Sequence, residues 1–491
     1  MGANRLPIIA DAAVRRQPSP SRGGGLSSDP NGLQPPGRVQ RAWSAAPLLA
    51  DVMPPARNSF GVLRLMLALA VLISHAVFLR TGVYATEPLV GLTGYSLGQY
   101  GVQGFFILSG ILVTQSLVNR SDLGDYGRAR AFRIFPALIV CVLLTTLVVG
   151  PALSMLGVVE YFGSLDVVAY IAKTLSLSTG SAPLPGVFEH NPSSGTINQS
   201  LWTLKYEVIC YLLLGCIAAL IWRMKSRRTV VGAVLGVWAA LMLMLNPNLH
   251  HAGGFIDTLT YFVLFFGTGV AAYLLRGSIR LSWMPLLPLA LLFASLWRTD
   301  LAEISSAAFL CYGMMWLATH TFGGLRGYTN ANDYSYGVYI YSFPVTQAIL
   351  LVQPGIATLP LVGFALAMTL VLAFLSWELV ERPALAAVQS WRDLRSGAAA
   401  SDGKTETAAP VMDTNDPMSG ALGPRARVAA TAPPATAADR SPVEFESRGE
   451  WRVPPPRPLV PRTEAPVQLD KSRLKARLAK IAEETRHRPT V

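Results

Sequence analysis

The sequence predicts an all-α polytopic membrane protein of about ten transmembrane helices, with cytoplasmic N- and C-termini and disordered tails. Three observations predict it. The chain is 51% hydrophobic and only 14% charged over 491 residues, too apolar for a soluble protein of that length. Between about Asn58 and Glu381 its apolar residues fall into runs near the roughly 20 residues that a membrane helix needs. The basic residues between those runs alternate. Eleven Lys and Arg lie in one set of loops, from Arg120 to Arg326, against three in the other (Arg80, Lys173 and Arg298). Cytoplasmic loops carry such an excess, which turns both tails inward and agrees with an even number of spans.

Residues 1–57 are rich in Pro, Gly, Ser, Ala and Arg without periodicity, and read as a disordered tail. They lack the charged start, apolar run and small-residue site of a cleaved signal peptide. The candidate spans follow at 58–79, 101–118, 133–156, 201–222, 229–246, 256–275, 281–297, 302–321, 333–352 and 358–380. The seventh is short and holds Pro285 and Pro288; the ninth begins polar. The loop from Gly157 to Ser200 falls on the outer side. Its apolar piece Val167–Leu177 is too short to span, and lies along the interface or dips back into the protein. The membrane domain is thus 58–385. Residues 386–491 return to Ala, Pro, Ser and charge and read as largely disordered, with a short basic helix at 470–488.

A net charge of +12 suggests nucleic acid at first sight. The basic residues fall instead in tails and alternate loops, where they set orientation, so the partner is the lipid bilayer and no nucleic acid is implied. Cys141, Cys210, Cys216 and Cys311 all lie in apolar runs without metal-ligand spacing. They read as small buried hydrophobes, and no metal is expected.

The first span carries Arg64 and His75 with ten residues between them. Eleven helical steps of about 100° overshoot three turns by roughly 20°, so both side chains share a face, about 16 Å apart along the axis. A cation and an imidazole inside a span are costly and mark a functional site by default. The bland alternative is an Arg that snorkels and a His bonded to a neighbouring helix. Four further segments join this pair. GVQGFFILSG (101–110) sets Gly104, Ser109 and Gly110 around Phe105 and Phe106, where small residues admit close helix approach. RARAFRIFPAL brings Arg128, Arg130 and Arg133 to the third span; they serve topology or dock phosphates equally well. NQSLWTLKYEVICYLL puts Lys205 and Glu207 inside the fourth span, with Lys205, His75 or a water-filled cavity as the carboxylate's partner. Glu378, Glu381 and Arg382 close the tenth span as an interface cluster.

Taken in order, LRLMLALAVLISH, GVQGFFILSGILV, RARAFRIFPAL, LWTLKYEVICYLLL, DYSYGVYIYSFPV and SWELVERPAL resemble the acyltransferase-3 family of integral-membrane O-acyltransferases of bacterial surface glycans. The resemblance covers about Asn58 to Leu385. It places the family's Arg, ten residues, His motif on Arg64 and His75, its essential imidazole on His75, and its Arg-rich entry to the third span on Arg130 and Arg133. Its aromatic–Ser–Leu–two residues–Glu motif falls on Trp202, Thr203, Leu204 and Glu207, with Thr for Ser. Ser342 stands where a ninth-span His is common, so that position supplies no imidazole.

The resemblance implies transfer of an acyl group, most simply acetyl, from cytoplasmic acyl-CoA to a hydroxyl of an extracytoplasmic glycan such as exopolysaccharide or lipopolysaccharide, in the bacterial inner membrane. Arg64, Arg130 and Arg133 would hold the phosphates of CoA, the co-substrate. His75 would act as general base or as nucleophile, with Glu207 orienting it or stabilising its imidazolium. Surface-glycan synthesis proteins are the expected protein partners. A glycan or lipid-linked sugar transporter or flippase is the competing class, with the same charged residues lining a path.

Overall fold

The computed structural model describes residues 43–119, 122–178, 182–221, 254–299, 301–320 and 322–405. The expected span 229–246 and the basic segment 470–488 lie outside the described residues. What is described is helical, with two isolated β-bridges and no strand among the described residues. The helices used below are α1 (Phe60–Thr81), α2 (Leu97–Asn119), α3 (Leu123–Leu144), α4 (Leu165–Leu175), α5 (Leu204–Ile221), α6 (Phe255–Leu274), α7 (Leu286–Leu296), α8 (Ala302–Leu317), α9 (Ser335–Val352), α10 (Thr358–Ser376) and α11 (Arg382–Thr405). Among the described residues seven helical stretches are long and apolar enough to cross a membrane. The chain is an all-α polytopic membrane protein. The expected seventh and eighth spans form shorter helices: α7 has 11 residues and α8 has 16. Pro285 caps α7 and Pro288 sits in its first turn, which confines that helix to the sequence after them.

Close packing around α1 and α2 follows from small residues. Apolar side chains gain little from leaving lipid for one another, so helix contact depends on fit. Gly110 of α2 faces Gly269 of α6, and a Cβ on Gly110 would stand 2.1 Å from the Phe266 carbonyl oxygen. On the opposite side of α2, a Cβ on Gly101 would stand 2.9 Å from the Leu67 carbonyl oxygen of α1. The expected close approach at Gly110 is present. Ser109, grouped with it on size, has a different task, described below.

Two π turns interrupt the α-helices. Thr145–Val149 continues α3 just before Pro151, and Trp377–Glu381 joins α10 to α11 just before Pro383. A proline removes one helical N–H and crowds the carbonyl four residues back, and a widened turn relieves both.

Ordered structure continues on both sides of the expected membrane domain. Residues 43–57, expected in the structureless tail, dock on the bundle: Leu49 and Ala50 donate their N–H groups to the Ile279 and Arg276 carbonyls, and Leu49, Val52 and Met53 are buried. The apolar sequence Pro47–Met53 supplies the surface for this. At the other end α11 runs past Leu385 to Thr405. Of the cysteines, Cys141, Cys210 and Cys311 are buried as expected; Cys216 is exposed, on an outward-turned position of α5.

The segment Val167–Leu177, in the long loop after α3, contributes to α4, which turns Val167, Tyr170 and Thr174 inward and packs on α3. The rest of that loop is fastened to α9. Gln347 donates to the Ser193 and Thr196 carbonyls at 2.9 Å each, and Asn198 donates to the Ile340 carbonyl at 2.7 Å. This fixes the approach to Gln199–Thr203, the 3-10 turn that opens α5.

Candidate functional site

A cavity of about 470 Å³ lies among α1, α2, α3, α5, α9 and α11. Its walls include Arg64, Arg130, Arg133 and Glu207, so four of the five residues singled out in the sequence share one space. His75 is not among the lining residues.

The arginines arrive from different helices. Arg64 Nη1 pairs with Asp333 Oδ2 at 3.2 Å, and Arg133 Nη2 pairs with the same oxygen. Arg133 Nη1 reaches Glu381 Oε2 at 3.3 Å. Ser335 Oγ donates to the other Asp333 oxygen at 2.5 Å, and Ser376 Oγ donates to Glu381 at 3.1 Å. Two guanidiniums and two carboxylates thus balance one another, with every carboxylate also hydrogen-bonded. A buried charge needs such company. Arg130 is placed differently: its guanidinium lies 5.9 Å from the Tyr211 ring centre, and its Nε is buried with no hydrogen-bond partner. The Nε of Arg64 is likewise unpartnered.

Glu207 accepts hydrogen bonds from Ser109 Oγ at 3.2 Å and from the Tyr211 hydroxyl. Ser109 and Tyr211 also bond each other at 2.9 Å. Lys205 points elsewhere, 4.9 Å from the Tyr206 ring centre. Glu207 lines the cavity, and its hydrogen-bond partners are Ser109 and Tyr211, neither expected from the sequence; Lys205 and His75 are not hydrogen-bonded to it.

His75 meets Ser200, whose Oγ is 3.5 Å from Nδ1, and the edge of Phe343, with ring centres 5.2 Å apart. Ser200 belongs to the 3-10 turn Gln199–Thr203, whose approach Gln347 fastens. Thr203, one turn on, bonds the Tyr339 hydroxyl at 2.7 Å and lines the cavity. Ser200, Thr203 and Glu207 therefore follow one another from the imidazole to the cavity. Ser342 is buried on α9 and its hydroxyl bonds the Tyr339 carbonyl at 3.4 Å.

The expected interface cluster at the end of α10 divides. Glu378 and Arg382 pair on the surface at 2.9 Å, while Glu381 is 2% exposed and pairs with Arg133. The π turn separates them by adding a residue to the helical circuit. Sequence reasoning did not single out Asp333 or Tyr211. The polar start of the ninth span was the signal for the first, and the i, i+4 spacing from Glu207 for the second.

A family profile described as an acyltransferase domain matches residues 57–378. An "O-acetyl transferase" of Shigella phage Sf6 is 30% identical over 331 residues, covering 66% of this chain and 95% of the relative. "Nodulation protein 10" of Rhizobium leguminosarum bv. viciae is 29% identical over 366 residues, covering 67% of this chain and 93% of the relative. No solved structure matches significantly. The ordered motifs, the helical membrane fold and a profile that spans well over half the sequence together place this chain in the acyltransferase-3 family, as an O-acetyltransferase-like membrane enzyme.

Proposed function

We propose that this O-acyltransferase takes an acyl group, most simply acetyl, from cytoplasmic acyl-CoA and transfers it to a hydroxyl of an extracytoplasmic glycan such as exopolysaccharide or lipopolysaccharide. The observation that carries the reading is the meeting of Arg64, Arg130 and Arg133 in one cavity, with buried Nε donors of Arg64 and Arg130 left unpaired. Phosphates are the natural acceptors for such donors. On this reading the arginine end faces the cytoplasm of a bacterial inner membrane, a sense that the loop charges support, and the pantetheine arm extends along α1 toward His75.

His75 acts as general base. Its Nε2 takes the glycan hydroxyl's proton as that oxygen attacks the thioester carbonyl. The carbon–sulfur bond then breaks, and the proton passes to the departing CoA sulfur. Nε2 can accept only if the ring proton sits on Nδ1, the tautomer in which Nδ1 would donate to Ser200 Oγ. Glu207, held by Ser109 and Tyr211, lines the cavity one turn beyond Thr203 and presents a carboxyl group to the bound donor. Purified protein in lipid discs, given acetyl-CoA and membrane glycan, should yield a glycan heavier by one acetyl group by mass spectrometry. Movement of unmodified glycan without acetyl-CoA consumption would instead establish the transporter class.

A further inference from the structure

α11 lies beyond the matched domain, which ends at residue 378, yet it builds one wall of the cavity. Leu385, Val388, Gln389 and Arg392 line it. Their spacing of i, i+3, i+4 and i+7 is one helical face. Two anchors hold that face in place. At its start the π turn delivers Glu381 to Arg133 of α3. Near residue 391 the Trp391 ring receives the Arg128 guanidinium, also of α3, at 4.0 Å from its centre. The same α3 carries Arg130 and Arg133, so α11 is braced against the helix that supplies the cavity's cations.

The face is graded. Leu385 and Val388 are apolar; Gln389 and Arg392 come last, and both are exposed, whereas the Arg64 and Arg133 side chains are only 27% and 20% exposed. A ligand entering acyl end first would leave its far end beside Gln389 and Arg392. We propose that α11 is the donor-selecting wall of this enzyme, with Arg392 binding the 3′-phosphate on the adenosine end of acyl-CoA and Gln389 its polar neighbour. The inference rests on the acyl-CoA reading above and deepens it. The middle diphosphate falls to the deeper arginines and the terminal phosphate to the mouth. Arg392 is thus a specificity-determining residue, remote from the bond that is made.

The test compares acetyl-CoA with acetyl-3′-dephospho-CoA in wild type, Arg392→Gln and Arg392→Lys, all as full-length protein in lipid discs. One charge-assisted contact corresponds to about 10- to 100-fold in binding. Wild type should show a KM about tenfold or more lower for acetyl-CoA than for the dephospho donor, at similar kcat. Arg392→Gln should raise KM for acetyl-CoA to the dephospho level and leave the dephospho KM unchanged; Arg392→Lys should recover part of the difference. Equal KM values for the two donors in wild type, or a variant that raises both alike, would overturn the assignment. Wild-type protein that turns over neither donor would instead sink the acyl-CoA reading itself. Thermal melting in detergent, unchanged in both variants, excludes a collapsed helix as the cause.

Discussion

The two ends of α1 are built on opposite electrostatic plans. Arg64 sits among Arg133, Asp333 and Glu381, a set of charges drawn from α1, α3, the approach to α9 and the turn after α10. His75 meets a hydroxyl and a phenyl ring. Its neighbour Ser74 donates to Glu87 in the following loop. Burial pushes the Glu87 carboxyl above its ordinary value, against the hydroxyls of Ser74 and Ser96, which favour the anion. The arginine end therefore keeps its charges by matching them, and the imidazole end works to hold few. A site that grips an anion needs the first plan. A base that must be neutral before it accepts a proton needs the second.

The largest expected effect falls on the imidazole end. His75→Ala should lower acyl transfer by about 100- to 10,000-fold, the span of a lost general base. The melting temperature should stay within a few degrees, because the ring's polar contact is a single 3.5 Å one. Acetylated product formed at the wild-type rate would defeat the role given to His75. The arginine end should respond in stability instead. Arg133→Ala leaves Glu381 buried without its cation, which costs about 3–5 kcal/mol of folding free energy. A double variant that adds Glu381→Gln should recover part of that loss in a detergent melt. If the single and double variants melt alike, the matched-charge account of this end is wrong.

Smaller effects sharpen the contrast. Ser200→Ala removes a neutral hydrogen bond of about 0.5–1.5 kcal/mol. It should reduce kcat roughly 2- to 10-fold with KM for the donor unchanged, since Ser200 touches the ring and not the arginines. Glu87→Gln should act through pH alone. The folded Glu87 holds its proton more tightly than the unfolded one, so ionising it opposes folding at pH above both values, and this penalty disappears as pH falls. The glutamine variant should therefore melt higher than wild type at pH 8, with the difference shrinking toward pH 4. A pH-independent difference would remove Glu87 from the account.

Much of this arrangement was legible in the sequence for a physical reason. Long apolar runs report the bilayer directly, so the seven long apolar helices followed from length and composition. Arg64 and His75 do fall in one helix, and the small residue Gly110 does meet another glycine. Pairings across distant helices were not legible. Nothing local to Asp333 says that two guanidiniums will share one of its oxygens. Ser109 looked like a packing residue because size was its visible property, whereas its hydroxyl serves Glu207. The same limit hid α11: Ala-rich sequence after the last span reads as tail until Trp391 is seen against Arg128.

The shared Asp333 oxygen also bears on how the protein is made. Translation proceeds from α1 onward, so Arg64 is made long before Asp333 and Glu381 exist. Until then the guanidinium has no carboxylate partner and must reach toward the membrane surface for water and lipid phosphate. The charge cluster closes only when the chain has been synthesised past Glu381. A ribosome that stops before that point leaves a bundle with uncompensated cations inside it. The network that lines the cavity thus joins residues made early to residues made late, and the buried charges are matched only in a chain that includes Glu381.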